Sequence, residues 1–145
     1  MRRYIAKNID NCYFLCADLW NFKFKNNVIK LEMQLSESNI WNIASGLSQS
    51  SNKDVYIYGV AGFLIHRYEG LRSSIAKSKE FLKSNIIILN AGKVGYKDYF
   101  HQLHDDLELM KLLDIPVYEP ETIDELKEVL NKNNKVKYIR LGKDF

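Results

Sequence analysis

What the chain lacks narrows its role first. No stretch approaches the ~20 consecutive apolar residues that a membrane-spanning helix requires. Met1-Arg2-Arg3-Tyr4 has two arginines but no long apolar run behind it, so neither a signal peptide nor a membrane span is expected and the cytoplasm is the expected compartment. Basic residues are not clustered: 21 Lys and Arg stand against 18 Asp and Glu, a formal charge of +3, and they are scattered rather than interleaved with aromatics. A nucleic-acid surface is not expected. There are only two cysteines. Cys12 and Cys16 fall in one strand-like run, where they would share a face roughly 13 Å apart, too far for a disulfide. Buried, reduced thiols are the expectation. Repeats and low-complexity segments are also missing.

What is present is a composition suited to one packed domain spanning 1–145: 145 residues, 46% hydrophobic and 27% charged. After the strand at Cys12-Tyr13-Phe14-Leu15-Cys16-Ala17 comes a connection rich in Asn and Lys, from Asn21 to Asn27. Val28 to Leu35 alternates Ile29, Leu31, Met33 and Leu35 with polar residues and reads as a half-buried strand. Ile40, Ile43, Ala44 and Leu47 then recur at helical spacing, Ser48 to Lys53 reads as a polar loop, and Val55 to Val60 as a buried strand. Leu64, Tyr68, Leu71 and Ile75 mark one face of a second helix running towards Leu82.

Asn85 to Gly92 is an almost wholly apolar run ending in glycine, the pattern of a central parallel strand that opens into a loop. A third helix should bury Leu103, Leu107 and Met110, and Ile115 to Tyr118 should be a strand, placed at an edge or a strand start by Pro116. Thr122-Ile123-Asp124-Glu125 is a capping box opening a fourth helix, with Ile123, Leu126 and Leu130 inward, and Lys135 to Leu141 supplies a last strand. Alternation of this kind predicts an α/β fold, an open and mostly parallel sheet with helices on both faces in three layers.

Glu37 is the residue that most needs a chemical account. It stands where the strand ending at Leu35 gives way to a helix, and ligands of open α/β sheets bind in the crevice at the strands' carboxyl ends. The plainer reading is a solvated glutamate favoured by the helix dipole. His101 and His104, with Asp105 beside them, have a spacing that could present metal ligands on one helical face. A third well-placed ligand is not evident, and no metal site is assigned.

Several blocks in one order resemble the pyrimidine-binding domain of transketolase-like thiamine diphosphate enzymes, the nearest types being transketolase and deoxyxylulose phosphate synthase. Cys16-Ala17-Asp18-Leu19 resembles that family's first strand. Leu35-Ser36-Glu37-Ser38-Asn39 with Ile43-Ala44-Ser45-Gly46-Leu47 resembles its catalytic glutamate and the helix after it. Phe63-Leu64-Ile65-His66-Arg67-Tyr68-Glu69-Gly70-Leu71-Arg72 is similar to its aromatic segment, the block from His101 to Met110 to its histidine-led helix, and Val117 to Pro120 with Tyr138-Ile139-Arg140-Leu141 to its last two strands. The likeness covers about residues 10 to 142. Gly95-Tyr96-Lys97-Asp98-Tyr99-Phe100 departs from the family, whose equivalent stretch is rich in Gly and Asp and ends Pro-Thr.

The resemblance implies a division of chemistry. In these enzymes a glutamate shares a proton with the pyrimidine N1′, which drives the cofactor's own amino group to activate its reactive carbon. Glu37 takes that position. Phe63 would pack on the pyrimidine ring, with an ordinary core residue as its alternative, and His66 would stack on the ring or hydrogen-bond to it, or else lie at the surface. His101 aligns with a histidine that contacts sugar oxygens. The family's diphosphate-binding domain carries a Gly-Asp-Gly motif and a downstream Asn for Mg²⁺, and neither this pattern nor a stretch resembling the usual C-terminal domain is found within these 145 residues.

The expectation is therefore the pyrimidine half of a split enzyme. Thiamine diphosphate would be shared with a separate diphosphate-binding subunit that holds Mg²⁺, in a homodimer or heterotetramer, and the reaction would be two-carbon ketol transfer from a sugar or keto-acid substrate. Three alternatives stand beside it. They are a non-catalytic assembly or regulatory domain, a subunit of a 2-oxo acid decarboxylase, and a small-molecule binder of flavodoxin-like type.

Overall fold

The computed structural model of the chain describes residues 1–17, 20–34, 36–59, 67–90 and 106–141, except the side chain of Glu37. Six strands, β1 Cys12–Cys16, β2 Val28–Glu32, β3 Val55–Gly59, β4 Ile86–Asn90, β5 Val117–Tyr118 and β6 Val136–Arg140, form one sheet. Every pairing is parallel, and the order is β2-β1-β3-β4-β6-β5. The helices are α1 Arg2–Asn8, α2 Glu37–Ser50, α3, α4 Asp106–Leu112 and α5 Ile123–Asn131. Of these, α3 is an α-helical turn, Tyr68–Gly70, that continues as a π-helical stretch, Leu71–Ala76.

Side chains alternate across a strand, and here each parity feeds its own core. Cys12, Phe14 and Cys16 of β1, Tyr56 and Tyr58 of β3, Ile87 and Leu89 of β4 and Ile139 of β6 pack with Ile5 and Ala6 of α1 and Leu126 and Val129 of α5. The intervening Leu15, Val55, Ile57, Ile86, Ile88, Val136 and Tyr138 pack with Ile40, Trp41 and Ala44 of α2, Leu71 and Ile75 of α3 and Met110 of α4. β4 is buried along its whole length, as its unbroken apolar run requires of a central strand. The two cysteines are free and buried. No helix among the described residues is long and apolar enough to cross a membrane.

Several sequence expectations need correction. α1 was not foreseen; it is a short helix held by burial of Ile5 and Ala6. The connection around Asn21 to Asn27 is aromatic as well as polar, because Trp20, Phe22 and Phe24 form a cluster with Phe14, with Phe14 and Trp20 centroids 4.5 Å apart and Trp20 and Phe24 stacked at 5.6 Å. α2 runs on to Ser50 instead of ending before Ser48, whose buried hydroxyl donates to the Ser84 carbonyl at 2.6 Å. Leu107 and Ile123 are exposed, while Asp106, Met110, Leu126 and Val129 face inward. The last strand in the chain, β6, lies between β4 and β5, which leaves β5 at the edge, where Pro116 placed it.

One expected feature stands as read, and another in part. The capping box closes in both directions: Thr122 Oγ1 accepts from the Glu125 amide at 3.2 Å, and Glu125 Oε2 accepts from the Thr122 amide at 3.4 Å. The helix expected over Leu64, Tyr68, Leu71 and Ile75 and on towards Leu82 is present in part: it is described from Tyr68, becomes π-helical over Leu71–Ala76 and stops there, ahead of a separate 3-10 turn at Lys79–Phe81, while Leu64 lies outside the described residues. Ser73 Oγ donates back to the Glu69 carbonyl at 2.7 Å.

Candidate functional site

The strand order reverses between β1 and β3, because β2 lies on one side of β1 and β3 on the other. A crevice opens at the carboxyl ends of a parallel sheet at such a switch point. The carboxyl ends are in register across the sheet: Cys16 lies opposite Glu32 and Tyr58, Gly59 opposite Asn90, and Asn90 opposite Arg140.

Glu37 begins α2 just behind this edge. The chain leaving β2 is tied to β1 by the Met33 amide, which donates to the Cys16 carbonyl at 2.7 Å. It then turns through Gln34 in the left-handed region, φ 48°. The Ser36 amide donates to the Met33 carbonyl at 3.1 Å, and the Ser36 carbonyl accepts from the Asn39 amide at 2.9 Å. The backbone of Glu37 is thus fixed beside the end of β1 by bonds on either side of it. Phe63 and His66 fall in 60–66, which follows the end of β3, and His101 falls in 91–105 with His104 and Asp105, which follows the end of β4; all lie outside the described residues. Among the described residues no group of three His, Cys, Asp or Glu side chains could hold a metal.

The described part of this edge holds a buried polar network that the sequence reading missed. Asn90 and Tyr138 are fully buried and Asp106 is 3% exposed. Asn90 Nδ2 donates to the Tyr138 hydroxyl at 2.5 Å, and that hydroxyl donates to Asp106 Oδ2 at 2.8 Å. Arg140 Nε lies 3.3 Å from the same Asp106 oxygen as an ion pair without hydrogen-bond geometry, and its Nη1 donates to Glu119 Oε1 at 3.2 Å. Burial, reinforced by the Asp106 charge, raises the Tyr138 hydroxyl well above its ordinary value. It stays protonated at neutral pH and acts as a bridge, not as an acid or base.

The bridge has a positional meaning. Asn90 is the last residue before 91–105 and Asp106 the first after it, so one buried hydroxyl ties together the two ends of the stretch that carries His101. The far end of 60–66 is fixed by a different device. A side chain at Gly70 would place its Cβ 2.7 Å from Trp41 Cδ1, so the start of α3 sits directly on α2. Ser74 also donates to Asn42 between the same two helices.

No protein-family model matches the chain, and no curated protein matches it either. Function has to be read from the residues and the frame that carries them. A signal for the network was present in the sequence: Asn90 closes an apolar strand, and Tyr138 and Arg140 share one parity of another. Nothing local joins either to Asp106.

Proposed function

We propose that the chain is the pyrimidine-binding subunit of a split, transketolase-like thiamine diphosphate enzyme, a three-layer domain of the pyrimidine-binding type that works with a separate diphosphate-binding subunit. One observation carries the reading. The segments that hold Glu37, Phe63 with His66, and His101 follow the carboxyl ends of β2, β3 and β4 in an all-parallel sheet whose order reverses between β1 and β3. The strands that precede these three stretches of sequence therefore all end at one edge of the sheet, the edge at which α/β domains bind ligands.

The residue chemistry fits a pyrimidine ring better than a diphosphate. One carboxylate, one phenyl ring and one imidazole suit a flat, partly apolar heterocycle with a basic nitrogen, and Glu37 and Phe63 would hold it. When bound, the cofactor supplies the nucleophilic carbon and the electron sink for cleaving a carbon–carbon bond beside a carbonyl. Glu37 holds the proton at N1′, Phe63 and His66 orient the ring, and His101 hydrogen-bonds to substrate oxygens. The Tyr138 bridge restrains the ends of the segment that presents His101. Mg²⁺ and the diphosphate belong to the partner subunit, and the reaction is two-carbon ketol transfer.

The test is calorimetric titration of thiamine diphosphate with Mg²⁺ into this chain, alone and mixed with a candidate diphosphate-domain subunit, beside Glu37→Gln. Binding and ketol transfer should arise only in the mixture, and turnover should fall at least about a hundredfold in the variant, the scale of a lost proton-transfer group. A mixture that assembles but never binds the cofactor, or turns over equally without Glu37, would replace this reading with that of an assembly domain.

A further inference from the structure

Helix α4 turns only one side to the protein. Asp106, Met110 and, just past its end, Leu113 are buried, whereas Leu107, Glu108, Lys111 and Leu112 are exposed. At about 100° per residue these four share an outward arc of roughly 140°. Leu112 is 72% exposed and Phe81 65%, more than any other large apolar side chain among the described residues. Phe81 belongs to the turn Lys79–Phe81, which Lys79 ties to the end of α4 by donating to the Leu113 carbonyl at 3.0 Å. Open grooves flank the helix, one of about 780 Å³ that reaches Val117 and Lys135, and one of about 430 Å³ against Leu109 and Leu112. Glu108 and Lys111 line both, so they stand on the ridge between them.

The charged neighbours in the larger groove are engaged. Lys79 pairs with Asp114 at 3.5 Å, Lys135 donates to the Lys83 carbonyl at 3.1 Å, and Glu119 accepts from Arg140 at 3.2 Å. Glu108 and Lys111 differ: among the described residues neither makes a side-chain hydrogen bond or an ion pair, although only three positions separate them on one helix. A single exposed leucine is ordinary on a protein surface. Two leucines beside one free charge of each sign, with a groove on either hand, form a surface that gains by being covered.

The order of these residues says what fits. Along α4 the outward positions read Leu107, Glu108, Lys111, Leu112, and in reverse they read Leu, Lys, Glu, Leu. A second α4 running antiparallel therefore brings its Lys111 to Glu108 and its Glu108 to Lys111, with leucines on both flanks, and two-fold symmetry makes the two charge contacts at once. We propose that this face is a homodimer contact, two copies of the chain crossing their α4 helices antiparallel about a two-fold axis, the ridge of each seated in a groove beside the other. A parallel crossing would set Glu108 against Glu108. A partner of one charge would pair with Glu108 or Lys111 and desolvate or repel the other. The contact uses none of Glu37, Phe63, His66 and His101 and stands independently of the thiamine diphosphate reading.

The experiment is analytical ultracentrifugation of the full chain, with no cofactor and no partner subunit. A reversible monomer–dimer equilibrium with a dissociation constant below about 100 µM is expected. Glu108→Lys and Lys111→Glu should each weaken it at least about tenfold, because each sets like charges together on both sides of the axis. An equimolar mixture of those two variants should associate as a heterodimer within about threefold of the unaltered affinity, since opposite charges then meet at both contacts. Leu112→Ser should also weaken the dimer at least about tenfold, and the exposure of all three positions means that far-UV circular dichroism should stay unchanged. A chain that remains monomeric, a dimer indifferent to Leu112→Ser, or a mixture that associates no better than either variant alone would overturn the proposal. If the chain is monomeric and Leu112→Ser instead blocks assembly with a diphosphate-domain subunit, the face belongs to that partner and the homodimer contact is refuted.

Discussion

Replacing Tyr138 by phenylalanine tests whether its hydroxyl truly fastens the carboxyl edge. The ring is fully buried and would stay in place, so the change removes two hydrogen bonds without opening a cavity of note. Asp106, 3% exposed, loses the Tyr138 donor at Oδ2 and keeps the Arg140 guanidinium at 3.3 Å. Losing a hydrogen bond to a charged group costs about 1.5–3 kcal/mol. Asn90 loses its acceptor, which adds about 1 kcal/mol for a neutral bond. The sum is about 3 kcal/mol, a large share of the ~5–15 kcal/mol that holds a domain folded. Urea unfolding at neutral pH should show the loss as a lower midpoint with an unchanged slope.

The same variant carries a second signature at high pH. The folded-state pKa of Tyr138 lies well above its ordinary value near 10, so the unfolded chain releases this proton first as pH rises. The stability it contributes is fully present below pH ~10 and is lost above it, by up to about 1.4 kcal/mol per pH unit, until the folded-state value is reached. Phenylalanine has no such proton. The gap between the two proteins should therefore narrow above pH ~10. A loss below about 0.5 kcal/mol at neutral pH, the size of an ordinary surface substitution, would refute the bridge.

Gly70→Ala should cost about 1–3 kcal/mol in thermal or urea unfolding, because its Cβ would sit 2.7 Å from Trp41 Cδ1, and the added cost of the alanine should shrink when it is measured in a Trp41→Phe background. Lys137→Met keeps the buried stem but removes the ammonium that closes the end of α5, and should cost about 1–3 kcal/mol with faster amide exchange in that helix's last turn. Burial first, then the Asp54 and Asp10 charges, push the Cys12 thiol up to about 12. At pH 8 a thiol reagent should label it at least about a hundredfold more slowly in the folded protein than in urea, and equal rates would contradict its placement.

Those features that rest on one element's own residues were legible in the sequence. The capping box at Thr122, the buried run of β4, the edge position marked by Pro116 and the helix start at Glu37 each follow from a few neighbouring residues and a known period. Other features depend on what an element meets. α1 has too few residues to be stable alone and holds through Ile5, Ala6 and the Arg2 bond to Tyr58 at 2.9 Å, contacts made with residues far along the chain. The inward faces of α4 and α5 turned by about one position from expectation because Asp106 is drawn into the Tyr138 network and Ile123, in the first turn of α5, is left outside. Local periodicity finds the apolar stripe of a helix but cannot credit a buried carboxylate with an inward place.

The same distinction holds at the candidate site. At the carboxyl edge the chemistry was read from motif order, and the frame adds what motifs could not contain: parallel register from Glu32 across to Arg140, and one hydroxyl joining residues 16 positions apart at either end of the stretch that carries His101. A contact between residues far apart in sequence leaves no spacing to recognise, because its information lies in the fold that brings them together.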